Sequence, residues 1–464
     1  MKDNNSPLPF RHIHFIGIAG AGMSSIAAYL CQAGYKVTGS DASPNKNILD
    51  YLQKCGAKVS LTHDIQDVAN ADAVVYSAAI PENNPERQFA QNARKLLQRG
   101  EILARISNAH HKSWAICGTH GKGTTAGALV HICQKAGWKT SYILGARMQG
   151  EPFASHFEKN ADILICEVDE SDKTHMFHQP RGLLINNLEA DHLNVYGSLN
   201  AIADSFVQLV KNCISFGSDV FIQKDGVGYP ILAEFLADVP VHWLAWNACP
   251  AKGYGAAQFT EKEDGTTSFQ LTRDGKNIAL IEPNLKGENN AHDLFSAASI
   301  ADSLNISPEI ITQAAKSYAG LVDRCHAEQN DKGMTLVTDY ASHPTCIRRD
   351  IAWLRKNAQR VIAIYQPFRY TLMTPLWSEL IQSLRTADIA LIAPFDGAGE
   401  TPIPNISSES LASAIQNLGT QAISFNSFDE IAEYASKILT EGDCLVVFGG
   451  GYIFQMAREI MGLA

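Results

Sequence analysis

Short apolar runs alternate with helix-like segments along almost the whole of this 464-residue chain. In the first hundred residues the strand-like runs are HIHFIGI, KVTGSD, AKVS and AVVYSAAI, and the segments between them include MSSIAAYLCQAG and NILDYLQKCG. This alternation is the pattern of βαβ units, in which strands pair in parallel and helices cover the faces of the sheet. The chain is therefore predicted to be an α/β protein.

The same pattern restarts twice. A second unit begins near His110 with the strand SWAIC and the helix TTAGALVHICQKAGW, followed by ADILICEVDESD and GLLINNLEADH, and a third contains MTLVTDY, RVIAIYQP, DIALIAPF and DCLVVFGGG. One hydrophobic core rarely serves more than about 250–300 residues, so we expect three domains, over 1–108, 109–318 and 319–464. The first and third are predicted to be Rossmann-like, and the middle one a P-loop ATPase-type α/β domain.

One stretch departs from this pattern. Between Gly217 and Pro283 the sequence moves toward alternating polar and apolar residues, as in TSFQLTRDG and NIALIEP. Alternation with a period of two indicates strands with one solvated face. Antiparallel strands at a sheet edge are therefore expected there.

Composition excludes several classes of protein. A net charge of −10 without any lysine- or arginine-rich run argues against a nucleic-acid-binding surface. No secretory leader and no apolar run of about 18 residues is present, which predicts a cytoplasmic protein without a membrane partner. The ten cysteines form no C-x-x-C pair, so they are expected to be reduced and mostly buried, with neither a zinc site nor a disulfide framework.

A first glycine-rich loop, IGIAGAGMSS, follows the first predicted strand and opens a helix. Gly17, Gly20 and Gly22 would let the backbone approach a diphosphate, whose charge a helix N-terminus favours. The order G-x-x-G-x-G differs from the dinucleotide fingerprint, and Asp41 ends the next strand, where an acidic residue often meets a ribose. Close packing of strand against helix is the alternative role of these glycines.

A second glycine loop lies in SWAICGTHGKGTT, again between a strand and a helix. Its backbone N–H groups would cradle phosphate oxygens, and Lys122 would reach the terminal phosphates. The strict P-loop pattern is incomplete, because Ile116 stands at its first glycine and Gly123 replaces the hydroxyl residue after the lysine. Thr124 and Thr125 are then the nearest hydroxyls for a magnesium ion.

Metal ligands are expected at the ends of two later strands. Glu167 ends the run LICE, and ligands collect beyond the carboxyl ends of parallel strands. His192 ends the run LEADH, although magnesium prefers oxygen to an imidazole nitrogen. Three acidic residues on the turn after Glu167 are expected to be solvated: Asp169, Glu170 and Asp172. Three histidines are expected to be structural: His175, His178 and His292.

Seven motifs, in order across nearly the whole chain, give it a resemblance to the Mur ligases of bacterial cell-wall synthesis: IHFIGIAGAGMS, GTHGKGTT, EVDESD, NNLEADHLNVYGS, DYASHPT, QPFRYT and DGAGETPI. The resemblance implies an ATP- and Mg²⁺-dependent ligase that joins the carboxylate of UDP-N-acetylmuramate to L-alanine through an acyl phosphate, in peptidoglycan biosynthesis. One alternative is attachment of a recycled tripeptide to the same UDP-sugar. A lesser alternative is a non-catalytic paralogue that binds UDP-sugar or ATP.

The resemblance also implies the site residues. Those for the UDP-sugar are Gly17, Gly20, Ala21, Gly22, Met23, Ser24, Asp41 and Ser77. Those for ATP are Gly118, Thr119, His120, Gly121, Lys122, Gly123, Thr124, Thr125, Asn290, Arg324 and Asp339. The metal ligands would be Thr124, Glu167 and His192. The acceptor would meet Tyr340, His343 and Arg369. The groups implied to act in catalysis are Lys122, Glu167, His192, Arg324, His343 and Arg369.

Departures from the family pattern concern the acceptor most. The L-alanine branch has histidine, histidine and arginine where Ser342, Phe368 and Leu372 stand, so a less polar acceptor pocket is expected. IGIAGAGMS, QPFRY and AGETPI resemble that branch, whereas INNLE, GENNAH and the alanine of DYASHP resemble the tripeptide branch. Further departures lie near the expected nucleotide: Asn289, Asp293, Asp323 and Cys325.

Gly123 replaces the threonine of the Mur pattern. Related folylpolyglutamate synthetases carry G-K-G-[ST] at this loop, so the glycine is compatible with ATP binding. Thr124 is expected to take over the metal contact.

Overall fold

The structure is a computed structural model that describes residues 8–224 and 226–463. These residues form three sheets, each flanked by helices, as the α/β prediction requires. They fall into two compact units: the first consists of residues 8–190, 198–260 and 268–319, and the second of residues 191–197, 261–267 and 320–463. Two sheets belong to the first unit and one to the second.

The first sheet has the Rossmann-like order predicted for the N-terminal domain. Its strands are β1 (His12–Ile16), β2 (Lys36–Ser40), β3 (Lys58–Ser60), β4 (Ala73–Tyr76) and β5 (Leu96–Gln98), and its helices are α1 (Ala21–Gln32), α2 (Lys46–Lys54), α3 (Ile65–Ala69), α4 (Pro85–Asn92) and α5 (Arg99–Ala109). The spatial order β3-β2-β1-β4-β5 is parallel throughout. β2 and β3 lie on one side of β1, and β4 and β5 lie on the other, so the strand order changes direction at β1. Sheets of this kind bind ligands at such a point.

The middle sheet is larger. Its strands are β6 (Ser113–Cys117), β7 (Thr140–Ile143), β8 (Ser155–His156), β9 (Ile163–Glu167), β10 (Gly182–Ile185), β11 (Asp219–Gln223), β12 (His242–Trp246), β13 (Tyr254–Glu261), β14 (Thr267–Arg273) and β15 (Lys276–Ile281). The order is β15-β14-β13-β12-β11-β10-β6-β9-β7-β8. β6 pairs in parallel with β9 on one side and β10 on the other, so the sheet's order reverses at β6.

The helices of this part of the chain are α6 (Lys122–Lys135), α7 (Leu193–Tyr196), α8 (Leu199–Phe216), α9 (Tyr229–Phe235), α10 (Glu288–Ser303) and α11 (Pro308–Ser317), with a 3-10 turn at Thr174–Phe177. The predicted antiparallel edge pair is confirmed for β14 and β15. The preceding pairs, from β10 to β13, are parallel. β11, β12 and β13 lie in the stretch expected to be antiparallel, so the prediction was wrong for the pairs that join them. Alternation indicates a solvated face but does not fix whether neighbouring strands run parallel.

The third sheet is also Rossmann-like. Its strands are β16 (His326–Gln329), β17 (Thr335–Asp339), β18 (Arg360–Tyr365), β19 (Ile389–Ile392), β20 (Gln421–Ser424) and β21 (Asp443–Phe448), and its helices are α12 (Pro344–Leu354), α13 (Tyr370–Leu384), α14 (Ser408–Gln416), α15 (Phe428–Ile438) and α16 (Tyr452–Met461). The order is β16-β17-β21-β18-β19-β20. The sequence predicts β17, β18, β19 and β21, but β16 and β20 are short and partly polar and were not predicted.

The cysteines are free thiols, as composition predicts, but only half of them are buried. All ten cysteines lie among the described residues as free thiols, and five are buried: Cys117, Cys133, Cys166, Cys213 and Cys444. Among the described helices, none combines the length and apolar character that crossing a bilayer demands. The prediction that most thiols would be buried is wrong, because four of the other five are partly exposed and Cys249 is exposed.

Two histidines, one within the 3-10 turn and one directly after it, are buried in the fold, as expected for structural residues. His175 and His178 are fully buried, and burial lowers the pKa of His175 to about 4 and that of His178 to about 3. Neither ring nitrogen of His178 has a hydrogen-bond partner among the described residues. Both rings are therefore neutral in the folded protein at neutral pH.

Acid is expected to destabilise the first unit partly through His178. Its folded pKa of about 3 lies below the ordinary 6.5, so the unfolded chain gains a proton first as the pH falls. The free energy of unfolding then declines below pH 6.5 and keeps declining until the folded pKa is passed. From urea unfolding at pH 7 and pH 5, His178→Phe should lose about 1–2 kcal/mol less than the wild type. The exposed His156→Gln should follow the wild type, and identical losses in all three proteins would contradict this.

Candidate functional site

The second glycine loop (the middle loop, residues 118–121) lies at β6, where the order of strands in the middle sheet changes direction. It joins β6 to α6, and Gly118 and Gly121 adopt φ angles of 124° and 73°, which strain any residue with a side chain. A Cβ atom at Gly118 would lie 2.9 Å from the carbonyl oxygen of Asn187. The loop therefore packs against the backbone that follows β10, and glycine is required there.

Two asparagines that sequence reasoning did not single out hold this loop. The N–H of His120 donates to Oδ1 of Asn187 (2.8 Å), and the N–H of Thr119 donates to the Asn187 carbonyl (3.2 Å). Asn186 is fully buried, and its Nδ2 donates to Oγ1 of Thr125 (2.8 Å). Both lie in the motif NNLEADH, but their role depends on β10 lying beside β6, which periodicity does not predict.

Lys122 folds back over the loop at the start of α6. Its Nζ donates to the Gly118 carbonyl (2.7 Å) and contacts Oε2 of Glu170 at 3.0 Å. Burial opposes its charge, but Glu170 together with Asp169 and Glu167 raises the lysine pKa above its usual value. Lys122 is therefore a permanent cation at the amino end of a helix.

The two candidate hydroxyls differ in environment. Thr125 is fully buried, and its hydroxyl oxygen accepts the bond from Asn186. Thr124 is half-buried beside it, and its backbone carbonyl accepts a hydrogen bond from the Tyr318 hydroxyl (3.2 Å). The structure thus leaves Thr124 the more accessible hydroxyl of the pair.

The acidic turn after β9 is not solvated as predicted. Glu170 is 2% exposed and pairs with Lys122, and Asp169 accepts a 2.6 Å hydrogen bond from Nη2 of Arg99. Arg99 and Lys122 outweigh burial and keep the Asp169 pKa below its ordinary value. The prediction was wrong because the cations that pair with these carboxylates are distant in sequence.

Glu167 lies where predicted, at the carboxyl end of β9. Its Oε2 accepts a hydrogen bond from the Gly145 N–H (2.7 Å), beyond the neighbouring strand β7. β9 and β7 pair in parallel, so these two strand ends lie side by side. The carboxylate is half-buried beside the loop that carries Lys122.

The amino end of α10 approaches the same loop. A Cβ atom at Gly121 would clash with the carboxylate of Asp293, so the two are in direct contact. Asn290 lies one turn earlier and donates to the Lys286 carbonyl (2.8 Å). His292 packs its ring against Trp246, with centroids 4.3 Å apart. Asn290 and Asp293 thus lie on the helix that flanks the middle loop.

The first glycine-rich loop (the front loop, residues 17–20) lies between β1 and α1, where the order of strands in the first sheet changes direction. Gly17 has a φ of 75°, and Gly20 precedes the first residue of α1. Oδ2 of Asp41 accepts a hydrogen bond from the Ala19 N–H (3.0 Å), so the acidic residue at the end of β2 fixes this loop. Ser77 follows β4 and accepts from the Ala79 N–H (3.1 Å).

The other predicted residues of this loop differ in what they offer. Met23 and Ser24 are buried, and the Ser24 hydroxyl donates to the Ala21 carbonyl (3.0 Å). The Ser24 N–H already donates to the Gly20 carbonyl (2.8 Å), so the free backbone N–H groups at this helix end belong to the residues before Ser24, Met23 among them. Gly22 packs directly against the guanidinium of Arg99.

A buried carboxylate behind the front loop was missed by sequence reasoning. Glu86 is fully buried, and its Oε2 accepts from Oγ of Ser40 (2.5 Å) and lies 2.8 Å from Nδ1 of His63. Its Oε1 accepts from the Asp64 N–H (3.1 Å) and lies 3.6 Å from Nε2 of His14. The asparagine–proline pair before Glu86 signals a helix start, but nothing in the sequence signals this burial.

The second unit carries the remaining predicted residues, before β16 and at or after the carboxyl ends of β17 and β18, which flank β21 in the sheet. Asp339 ends β17 and is 8% exposed, and the guanidinium carbon of Arg324 lies 4.8 Å from the ring centre of Tyr340. Asp323 accepts hydrogen bonds from Thr338 (3.1 Å) and from Nη2 of Arg458 (2.8 Å). Asp323, which differs from the family pattern, therefore stabilises the turn that carries Arg324.

His343 and Arg369 are each held by a specific partner. Nδ1 of His343 accepts from the Thr345 N–H (3.3 Å), which caps α12 and places the ring proton on Nε2. Arg369 has a φ of 58°, and its Nε donates to Oε1 of Glu400 (2.7 Å). Glu400 also accepts from the N–H (2.9 Å) and hydroxyl (2.7 Å) of Thr371. The AGETPI motif thus supplies the carboxylate that orients Arg369.

Two of the three departures near the expected acceptor pocket are apolar side chains, Phe368 and Leu372. Phe368 is 38% exposed. Leu372 is half-buried and packs against the core under α12 and α13. Ser342 is exposed. His192 also belongs to the second unit, within residues 191–197, where its Nε2 lies 3.7 Å from Oδ2 of Asp191.

Three family descriptions match this sequence in order. They are the Mur ligase family, catalytic domain, over residues 12–111; the Mur ligase middle domain, over residues 116–301; and the Mur ligase, glutamate ligase domain, over residues 323–451. The first and third matches span their sheets, and the second spans the middle sheet from the end of β6 onward.

Individual relatives agree over the full length. The chain is 32% identical to a UDP-N-acetylmuramate–L-alanine ligase of Syntrophomonas wolfei over 456 residues, covering 98% of this chain and 97% of the relative. Its fold is similar to the crystal structure of a UDP-N-acetylmuramate–alanine ligase of Thermotoga maritima, with a TM-score of 0.78, 21% identity and coverage of 97% and 98%. It is also similar to a murein peptide ligase of Psychrobacter arcticus, with a TM-score of 0.73, 21% identity and coverage of 98% of both chains.

Proposed function

Because this chain belongs to the Mur ligase family, we propose that it is an ATP-dependent ligase that joins the carboxylate of UDP-N-acetylmuramate to L-alanine. The observation that carries the proposal is Lys122, a half-buried cation at the amino end of α6, near Glu167 and bonded to the loop that Asn187 holds. The full-length relative from Syntrophomonas wolfei supports the choice of substrates. Such a step belongs to peptidoglycan biosynthesis, and its nucleotide substrates place it in the cytoplasm.

The chemistry needs activation of a carboxylate. The muramoyl carboxylate attacks the γ-phosphorus of ATP, giving an acyl phosphate and ADP. The amine of the acceptor then attacks the acyl carbon, and the tetrahedral intermediate expels inorganic phosphate. Negative charge concentrates on the transferring phosphoryl group, so catalysis depends on placed reactants and nearby cations.

The middle loop is proposed to bind the ATP phosphates. Backbone N–H groups between Gly118 and Thr125 face the phosphates, and Lys122 exchanges its contact with Glu170 for phosphate oxygens. Asn290, on the helix packed against Gly121, lies near the adenine. Arg324 and Asp339 are proposed to meet the nucleotide from the second unit.

The residues present fit a magnesium ion. Magnesium prefers oxygen ligands, and among the described residues Glu167 engages only one carboxylate oxygen, Oε2, in a hydrogen bond. Thr124 and Glu167 are proposed to hold the ion, with His192 as a further ligand. When bound, the ion neutralises charge on the phosphates. Glu167 itself is kept in place by the Gly145 N–H.

The front loop is proposed to bind the UDP-sugar, through Gly17, Gly20 and the first turn of α1, with Asp41 fixing the loop and Ser77 at the next strand end. In the second unit, Tyr340, His343 and Arg369 are proposed to face the acceptor. Arg369 would bind its carboxylate, oriented by Glu400.

An acceptor screen tests this function. Phosphate release from ATP is measured with UDP-N-acetylmuramate plus either L-alanine or the tripeptide L-alanyl-γ-D-glutamyl-meso-diaminopimelate, and we expect stimulation by L-alanine. Stimulation by the tripeptide alone would favour the second candidate, which Phe368 and Leu372 support because apolar side chains there remove two cations expected to bind a small free amino acid. The absence of turnover with either would favour a binding protein without ligase activity.

Mutations should distinguish the roles of the two hydroxyls, those of Thr124 and Thr125. Thr124→Val is expected to lower kcat about 100-fold and to raise the Mg²⁺ concentration for half-maximal rate, because a metal contact in the transition state is lost. Thr125→Val should instead lower the free energy of unfolding by about 1–3 kcal/mol, because Asn186 loses its buried acceptor. Steady-state kinetics over a magnesium series and urea unfolding measure the two effects. The reverse pattern would assign the metal contact to Thr125.

A further inference from the structure

Arg99 connects the front loop with the acidic turn of the middle sheet. It is the first residue of α5, and its Nη2 donates to Oδ2 of Asp169 at 2.6 Å, with Oδ2 of Asp172 at 4.0 Å. The side chain is about one quarter exposed. Burial opposes its charge, but the neighbouring carboxylates of Asp169, Asp172 and Glu167 raise its pKa above the ordinary value. Arg99 is therefore a fixed cation between the two glycine loops.

Two glycines allow this placement. A Cβ atom at Gly22 would lie 2.6 Å from Nη1 of Arg99 and 3.2 Å from its Cδ, so the guanidinium rests directly on the first turn of α1. A Cβ atom at Gly100 would clash with the side chain of Thr174, so α5 approaches the 3-10 turn as closely as backbone allows. The first contact holds the guanidinium on α1, and the second holds the start of α5, from which Arg99 extends, close to the 3-10 turn.

The Nη1 and Nε donors of the Arg99 guanidinium remain available to a ligand. The described residues engage only Nη2 in hydrogen bonds, whereas Nη1 and Nε make none with them. Arginine presents its donors in a planar fork that matches the oxygens of phosphates. The donor group that faces away from Asp169 is the one that lies on Gly22.

The helix end beneath this cation also favours an anion. The first-turn N–H groups of α1 lack intrahelical partners and carry the positive end of the helix dipole. The first turn of α1 contains no acidic residue. An arginine packed on that turn adds a full charge to a partial one, so a doubly negative diphosphate is the ligand chemistry that both features match.

We propose that Arg99 is a substrate-binding residue, whose Nη1 and Nε donate to the diphosphate of the UDP-sugar while Nη2 keeps its bond to Asp169. This inference rests on the proposed function, since it needs the UDP-sugar at the front loop. Because Asp169 precedes Glu170, the partner of Lys122, Arg99 also fixes the distance between the diphosphate and the residues that meet ATP.

Calorimetric titration of the full chain with UDP alone tests the diphosphate contact, with ATP and UDP-N-acetylmuramate as parallel ligands. Arg99→Gln is expected to raise the Kd for UDP and for UDP-N-acetylmuramate about 10- to 100-fold, as loss of a charge-assisted contact implies, and to leave the Kd for ATP within about threefold. Arg99→Lys should fall between. Arg105→Gln, an exposed arginine on the same helix, is the matched control and should bind like the wild type.

Kinetics separate binding from a purely structural role. Arg99→Lys should raise KM for UDP-N-acetylmuramate with a smaller change in kcat, whereas a structural defect lowers kcat and the melting temperature together. Should Arg99→Gln fail to fold, Gly22→Ala displaces the guanidinium by a methyl group and should weaken UDP binding alone. Asp169→Asn should weaken it less than Arg99→Gln, because the cation remains.

Each adverse result has its own meaning. If the wild type does not bind UDP, the proposed function fails and this inference fails with it. If the wild type binds UDP and Arg99→Gln binds it equally well, only the inference is overturned. If UDP binding is unchanged but UDP-N-acetylmuramate binding is lost, Arg99 faces the sugar acid and the diphosphate assignment is wrong.

Discussion

Replacing Lys122 with alanine is expected to lower kcat by about 10²- to 10³-fold or more while the Kd for UDP-N-acetylmuramate stays within about threefold of the wild type. Removing one preorganised electrostatic group from a transition state costs an effect of this size. Lys122 is a half-buried cation whose Nζ donates to the Gly118 carbonyl of the middle loop and pairs with Glu170. The front loop lies on another sheet, so its binding should be unaffected. Phosphate release and calorimetric titration measure the two quantities.

Two controls make this result specific. Lys135→Ala removes an exposed lysine in the last turn of the same helix and should retain full activity. The double variant Lys122→Ala/Glu170→Gln removes the uncompensated buried carboxylate, so it separates lost catalysis from lost stability. If Lys122→Ala weakened ATP and UDP-sugar binding equally, the separation of the two sites would be contradicted.

Glu86→Ala is expected to lower the free energy of unfolding by about 3–5 kcal/mol, a larger stability change than at any other position discussed. Ser40, His63 and the backbone N–H of Asp64 would lose a fully buried acceptor together, and each unsatisfied group costs about 1–3 kcal/mol. Urea unfolding at pH 7 measures the loss. Glu82→Ala, whose side chain is 93% exposed, should differ from the wild type by less than about 0.5 kcal/mol.

The same residue predicts an acid dependence. Burial opposes ionisation of Glu86, but contacts with His14, Ser40 and His63 hold its pKa below the ordinary 4.5. The stability that its charge contributes is therefore complete above pH 4.5 and is lost as the pH falls through the lower folded value, since the unfolded chain binds the proton first. Glu86→Gln should lose less stability than the wild type between pH 5 and pH 3. An equal loss would show that Glu86 is already protonated in the folded protein.

Many of the strands and helices were predictable from local sequence patterns. The strand at Ser113–Cys117 and the helix that begins at Lys122 were predicted because an apolar run, a glycine turn and a helical period follow one another within a few residues. The edge pair of β14 and β15 was predicted for the same reason, since alternation is local. β16 was missed because four partly polar residues carry too weak a pattern to stand out.

The pairing of charges was not predictable in the same way. Glu170 was expected to be solvated, yet it lies buried against Lys122, 48 residues earlier in the chain. Asp169 is held by Arg99 across 70 residues. The partners come together only because β9 and β6 are neighbours and α5 packs against the 3-10 turn.

The sequence by itself determined the α/β class, the two glycine loops, Lys122, and Glu167 at its strand end, because each depends on residues within one or two turns of chain. Tertiary structure alone decided that Thr125 is buried against Asn186, that Asp169 and Glu170 are paired, and that Arg99 rests on Gly22. The physical reason is that burial and charge pairing depend on which strands become neighbours, and strand order is a property of the whole folded sheet and not of any local segment.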